Sequence, residues 1–232
     1  ESYAEYFSPY VCAEHDKLAQ TYCGEDNRWT PFSALPVVLI YNPKLVAPGE
    51  LTGWESLLSE EFRGKIAFAD PAVSGSCYTA LVTMLCALDA PREETLRRFA
   101  ENLDGRLLSG SGAILDSVAD GTDRVGITLE ETARKRIAAG ENLRMIYPVE
   151  GTSAVPDGCA VIRGAMHEKN AQKFIDFAVS RDVQSLLQEE EFSRRCVRTD
   201  IEPSAQLVRL DKPTLLDYDV AWASSEHEAI LE

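Results

Sequence analysis

Apolar residues follow two periods along the chain, and the periods alternate. Compact or alternating runs at 35–41, 65–69, 123–128, 143–147 and 159–163 predict strands, the first reading Leu-Pro-Val-Val-Leu-Ile-Tyr. Helical spacing predicts helices over 54–59, 77–88, 92–102, 113–119, 128–139 and 169–188. In the helix at 92–102, Leu96, Phe99, Ala100 and Leu103 share one face. Thr128-Leu-Glu-Glu131 has capping-box spacing, in which a hydroxyl and a carboxylate satisfy each other's free backbone N–H groups. It predicts a helix start there and a stop at Gly140. Residues 1–33 are aromatic and polar with little periodicity and read as the end of another element, while 150–157 reads as a loop. The strand–helix alternation implies an α/β fold with parallel sheets and helices on both faces.

Length and composition narrow the class. A chain of 232 residues allows one large or two intertwined α/β lobes, and 45% hydrophobic with 26% charged residues is ordinary for a soluble globular protein. The longest apolar runs, 34–41 and 80–88, fall far short of the ~20 residues a membrane span needs. A net charge of −15 with only 23 scattered Lys and Arg residues argues against nucleic acid as a partner. It also repels anions at long range, so an anionic ligand would need local backbone dipoles to hold it. The six cysteines form no Cys-x-x-Cys pair and the three histidines lie far apart, so no metal site and no cofactor are expected. Cys12 and Cys23 are close enough in sequence for a local disulfide, and the alternative of buried free thiols stays open. The chain begins at Glu1 without an initiator Met or signal peptide, which reads as a processed or truncated polypeptide.

Candidate chemistry sits where strands turn into helices. Ser74, Gly75 and Ser76 open the helix at 77–88, where free N–H groups carry a partial positive charge and glycine lets a ligand approach the backbone. A simple serine cap explains the same residues. Ser109-Gly-Ser-Gly112 repeats the arrangement and puts Ser111 at a second helix start; a flexible connection is the alternative. Thr128 and Glu130 begin a third helix, and the capping box accounts for Thr128 there. Glu150-Gly-Thr152-Ser is a polar loop whose hydroxyls suit a ligand or a turn. Gly-x-Ser-x-Gly and Walker loops are absent and the histidines have no partner pattern, so no enzyme is expected.

Several segments, in order, add a resemblance. They are Val-Val-Leu-Ile-Tyr-Asn-Pro-Lys at 37–44, Trp-Glu-Ser-Leu-Leu at 54–58, Gly-Lys-Ile-Ala-Phe-Ala-Asp-Pro at 64–71 with Ser74–Ser76, and Tyr-Pro-Val-Glu-Gly-Thr at 147–152. Pro-Asp-Gly-Cys-Ala at 156–160, Asn-Ala-Gln-Lys-Phe-Ile-Asp-Phe at 170–177 and Asp-Tyr-Asp-Val-Ala-Trp at 217–222 continue the series. Together they resemble the family 1 extracellular solute-binding proteins, receptors of ABC importers for ferric iron, phosphonates, sugar phosphates and polyamines. The resemblance implies a periplasmic-binding-protein-like type II fold: two lobes with doubly wound mixed sheets that close on a ligand in an interlobe cleft. It assigns 1–35 and 158–211 to an incomplete amino-terminal lobe, and 36–157 and 212–232 to the carboxyl-terminal lobe.

It further implies a monomer that is periplasmic or anchored outside the membrane, without catalysis, partnered by a small anionic solute and ABC permease subunits. In ferric members adjacent tyrosines follow the strand that ends here near 127. This chain has Thr128-Leu-Glu130, which lacks their hard phenolate ligands and turns the expectation toward a phosphonate or phosphate ester. The expected ligand contacts are Ser74, Gly75, Ser76, Ser111, Thr128, Glu130 and Thr152. A ferric receptor, the sensing domain of a signalling receptor and, more remotely, an enzyme on the same scaffold are the alternatives.

Overall fold

The computed structural model describes residues 3–24, 26–209 and 215–231; the expected boundary at 211 and 212 and the first residue fall outside them. In chain order the elements are β1 (Phe7–Ser8), β2 (Thr30–Tyr41), α1 (Trp54–Leu57), β3 (Ile66–Ala67), α2 (Gly75–Ala87), α3 (Arg92–Leu103), α4 (Ser111–Asp120), β4 (Val125–Leu129) and α5 (Glu130–Ala138). Then come β5 (Arg144–Ile146), β6 (Ala154–Cys159), β7 (Val161–Ile162), α6 (Glu168–Ala178), α7 (Arg181–Leu187), α8 (Val220–Ser225) and α9 (His227–Leu231). They divide into two compact units, one of residues 1–35 and 155–209, the other of 36–154 and 210–232.

In the second unit β2 is the central strand. Val37, Val38, Leu39 and Ile40 are fully buried, which is why this run is apolar at every position rather than at alternate ones. β2 lies antiparallel to β4, with Val37 opposite Leu129 and Tyr41 opposite Val125, and antiparallel to β5, with Leu39 opposite Ile146. β3 pairs in parallel with β4, and Leu108 extends the parallel side through a bridge to Ala69. The sheet is therefore mixed, where strand–helix alternation by itself implied parallel. α5 connects β4 and β5 with the same direction, but β2 inserts between them and runs against both.

Helices cover this sheet closely. A methyl group at Gly126 would lie 2.9 Å from Ile114 Cγ2 and 3.1 Å from Val118 Cγ2, so α4 can rest on β4 only because position 126 is bare. Phe68 and Phe99 meet edge to face at 5.2 Å, and Trp54 and Phe62 are wholly buried. Each such side chain contributes roughly 1.5–3 kcal/mol by leaving water. The helix expected over 54–59 is shorter, four residues of α1 and then a tight turn at Glu60–Phe62. α1 is capped from a distance: Glu150 accepts from the Trp54 and Glu55 amides at 3.0 Å each, and Trp54 Nε1 donates to Gly151 O at 2.9 Å. A Cβ at Gly53 would fall 1.8 Å from Glu150 Oε2.

In the first unit the two-residue strands β1 and β7 pair antiparallel, and β6 pairs with β2. The segments expected as a loop at 150–157 and a strand at 159–163 are thus re-divided into β6 and β7. The single helix expected over 169–188 is two, broken at Val179 and Ser180. The break has a cause: Gln184 Nε2 takes the Ala178 carbonyl at 2.9 Å and Arg198 takes that of Val179 at 2.8 Å, diverting both from helical partners. All six cysteines are free, with Cys12 buried.

Candidate functional site

Strand directions decide which loops of the second unit share an edge. β3, β4 and the Leu108 segment are parallel, and β5 runs with β4 because both oppose β2. The chain therefore leaves all four at the same edge of the sheet. There α2 starts after β3, α4 after Leu108 and α5 after β4, and Tyr147 comes directly after β5. Three helix N-termini and a phenol thus gather where carboxyl ends of parallel strands make a ligand crevice in α/β sheets. First-turn N–H groups have no carbonyl four residues back, so each start carries unshared donors and the positive end of a helix dipole.

At α2, Ser74 is the N-cap and accepts from the Cys77 amide at 3.4 Å; its hydroxyl also lies 3.2 Å from that of Ser76. The preceding turn is set by Asp70, whose carbonyl accepts from the Ser74 amide and whose carboxylate accepts from that of Ala72. Gly75 is exposed, with no atom within 4 Å of where a Cβ would stand. The capping and ligand readings of Ser74 are compatible, because its oxygen caps while the amides of Gly75 and Ser76 stay in the open first turn. At α4 the N-cap is Gly110, without a side-chain cap; Ser111 is exposed, and Gly110 and Gly112 are as open as Gly75.

At α5 the structure corrects the capping box. Thr128 is a strand residue opposite Val38, 8% exposed, and α5 begins only at Glu130, with no side-chain cap from Leu129. Pairing along β2 outweighs the local cap because it satisfies the Thr128 backbone within a buried sheet. Glu130 opens the helix, where a carboxylate is favoured by the dipole; it is 1% exposed and accepts a hydrogen bond from the Tyr147 hydroxyl. Thr152 is fully buried, its hydroxyl donating to Val37 O at 2.6 Å and its carbonyl accepting from Leu216. Next to it Ser153 is bonded to Thr83 at 2.6 Å. The structure thus brings Ser74, Gly75, Ser76, Ser111 and Glu130 to one edge, keeps Thr128 inside the sheet and commits Thr152 to holding β2. Sequence reasoning did not single out Tyr147, whose hydroxyl donates to Glu130, or the capping of α1 by Glu150. Tyr147 closing the 143–147 run was the available signal for the first; nothing local marks the second.

The other end of α2 differs. An open cavity of about 580 Å³ there is lined by Cys86, Asp89, Arg92, Asp217 and Asp219 among others. Arg92 stacks on Trp222 at 3.8 Å, leaving an acidic lining unsuited to an anion. Burial, with a Thr79 hydrogen bond opposing it, pushes the nearby Tyr218 phenol up to about 12. Among the described residues no group of three His, Cys, Asp or Glu side chains is placed to hold a metal ion.

A family model described as bacterial extracellular solute-binding protein matches residues 3–213. An uncharacterized protein of Haemophilus influenzae is 28% identical over 185 residues, 77% of this chain and 53% of that protein. Iron uptake protein A1 of Synechocystis is 26% identical over 181 residues, 72% of this chain and 49% of that protein. The chain thus spans about half the length of these relatives. Among solved structures, the periplasmic binding protein AfuA of Actinobacillus pleuropneumoniae, with fructose-6-phosphate bound, matches at TM-score 0.84 and 22% identity over 97% of this chain and 74% of its own. Iron-bound HitA of Pseudomonas aeruginosa matches at 0.79 and 19% over 99% and 78%. A two-component system protein that mediates signal transduction matches at 0.84 and 22% over 97% and 77%. These likenesses establish a periplasmic-binding-protein fold of type II.

Proposed function

The chain belongs to the bacterial extracellular solute-binding proteins, and from that premise we propose that it captures a small organic anion, a phosphonate or phosphate ester, and delivers it to an ABC permease from the periplasmic or outer side of the membrane. The observation that carries the reading is the convergence of the α2, α4 and α5 starts on one sheet edge, with Gly75, Gly110 and Gly112 open. Unshared amides favour a ligand rich in acceptor oxygens, and Ser74, Ser76 and Ser111 add hydroxyls. The chain acts as a binding module; no step of catalysis is needed. Among the described residues no helix is long and apolar enough to cross a membrane.

A ferric receptor is the second reading, favoured by the likeness to Iron uptake protein A1 and iron-bound HitA. Against it stand Thr128, held in β4, and Leu129, where the ferric members of the resembled family have adjacent tyrosines. A sensing role is the third, from the likeness to the two-component protein.

A thermal-shift screen separates these readings. A ligand bound only by the folded state and present at a hundredfold its Kd adds about 2.7 kcal/mol of stability. Phosphonates or phosphate esters are expected to raise the melting temperature while polyamines leave it unchanged. A rise with ferric citrate alone would transfer the assignment to iron, and no rise with any of them would remove the solute-binding reading of this edge.

A further inference from the structure

We propose that Arg134 is a ligand-binding and specificity-determining residue, whose guanidinium forks onto the anionic group and selects a doubly charged phosphonate or phosphate over a singly charged oxyanion. This rests on the proposed anion site and adds a full charge to it. Helix α5 carries three consecutive cations, Arg134, Lys135 and Arg136. Two of them are neutralised: Lys135 lies 2.5 Å from Glu131, and Arg136 pairs with Asp116 at 2.6 Å and with Glu141. Arg134 makes no hydrogen bond or ion pair among the described residues, although it is half-buried and its Nε is enclosed by protein. The other arginines of residues 36–154 each meet a carboxylate, a carbonyl or an aromatic ring.

An enclosed guanidinium N–H left unpaired costs free energy, and a chain with 38 Asp and Glu residues has carboxylates to spare for it. Its position accounts for the missing partner. Arg134 stands one turn after Glu130, which opens α5 at the edge where α2 and α4 also start. A helical side chain leans towards the N-terminus and covers the turn before its own Cα, so Arg134 leans back along the first turn of α5 towards that edge. Glu130 in that turn opposes an incoming anion, and Arg134 offsets it. The planar guanidinium presents two parallel N–H donors to two oxygens of one phosphonate or phosphate, and its attraction grows with the charge those oxygens carry.

Isothermal calorimetry at alkaline pH tests this with ethylphosphonate, which then carries two charges, and ethanesulfonate, which carries one on the same tetrahedral frame. The wild type is expected to bind the phosphonate at least about tenfold more tightly. Arg134→Met is expected to weaken phosphonate binding by about ten- to a hundredfold, the worth of a hydrogen-bonded charge, and to bring the ratio of the two affinities towards one. Arg134→Lys, which keeps the charge and loses the fork, should fall between. Arg136→Met removes the same formal charge two residues on and should leave both affinities nearly unchanged, because Asp116 and Glu141 already neutralise it. Arg134→Met should also keep or raise the melting temperature, since it removes an unpaired, half-buried charge. The ratio between probes reads the site independently of any unfolded fraction. Wild-type affinities in Arg134→Met, an equal loss in Arg136→Met, or equal wild-type affinity for the two probes would overturn the inference while leaving the anion site standing. If the wild type binds neither probe, the inference and the anion site fall together.

Discussion

The two compact units are stabilised by different chemistry. In the unit of residues 36–154 the buried apolar side chains form one continuous cluster, from Val37 in β2 through Trp54, Phe68 and Met84 to Leu143. In the unit of residues 1–35 and 155–209, many of the contacts between distant segments are made by polar side chains reaching for backbone. Gln184 joins the carbonyls of Phe32 and Ala178 to the amide of Val197, Gln188 bonds Glu202 O and Ser204 N, and Arg198 holds Val179 O together with Asp200 and Glu14. Around the apolar sheet, Gly75, Gly110 and Gly112 at the starts of α2 and α4 stay open, while Ser74 caps α2 and the loop residues Glu150 and Thr152 hold α1 and β2. Where polar side chains hold the structure, the same residue types are already in use.

That contrast can be broken by substitution, beginning with the largest effect. Trp54→Ala empties the cluster beside α1 and strands the Gly151 carbonyl, at an expected cost of ~3–5 kcal/mol in urea unfolding. Arg198→Met removes a buried guanidinium from partners that are themselves partly exposed, so about 2–3 kcal/mol is expected, with hydrogen exchange rising first around Val179 and Asp200. If the Arg198 loss equalled or exceeded the Trp54 loss, the division between apolar and polar stabilisation would be wrong. Glu150→Ala should cost about 1 kcal/mol, the worth of a helix cap, although the residue lies far from α1 in sequence.

Acid sharpens the comparison without mutation. The Arg198 guanidinium holds the Asp200 carboxyl down at about 2, below its ordinary 3.8. A carboxyl whose folded value is depressed stabilises the fold above its unfolded value, and that contribution is lost as pH falls from about 4 towards 2. Acid unfolding followed residue by residue should therefore start around Asp200 and Arg181, not in the β2–β4 sheet. At the other limit, burial together with Asp176 raises Tyr10 to about 12, so its contribution is lost as pH rises above 10. Simultaneous loss of both units at low pH would contradict the assignment.

How much of the fold could be read from the chain divides along the same line. The Val-Val-Leu-Ile run declared a strand, and Ser74-Gly-Ser76 declared a helix start, because each signal is local. The antiparallel insertion of β2 between β4 and β5 was not legible, since alternation reports connection and not order in the sheet. The break between α6 and α7 depends on Gln184 and Arg198 reaching carbonyls that no local pattern links to them. Thr128 and Thr152 are expected contacts from their places at a helix start and in a polar loop; the pairing of Thr128 with Val38 and the bond from the Thr152 hydroxyl to Val37 O are long-range and invisible in the local pattern. Tyr147 and Glu130 are 17 residues apart and meet only because β4 and β5 end at one edge.

The central claim is that backbone amides at the three helix starts hold the anion. Amide-detected NMR during titration with a phosphonate or phosphate ester tests it directly. The account predicts that the signals of Gly75, Ser76, Ser111, Gly112 and Glu130 move together along one binding curve, while those of Val161 and Ile175 stay in place. Saturable shifts confined to other residues, such as Cys86 and Arg92 at the far end of α2, with the helix starts unmoved, would contradict it.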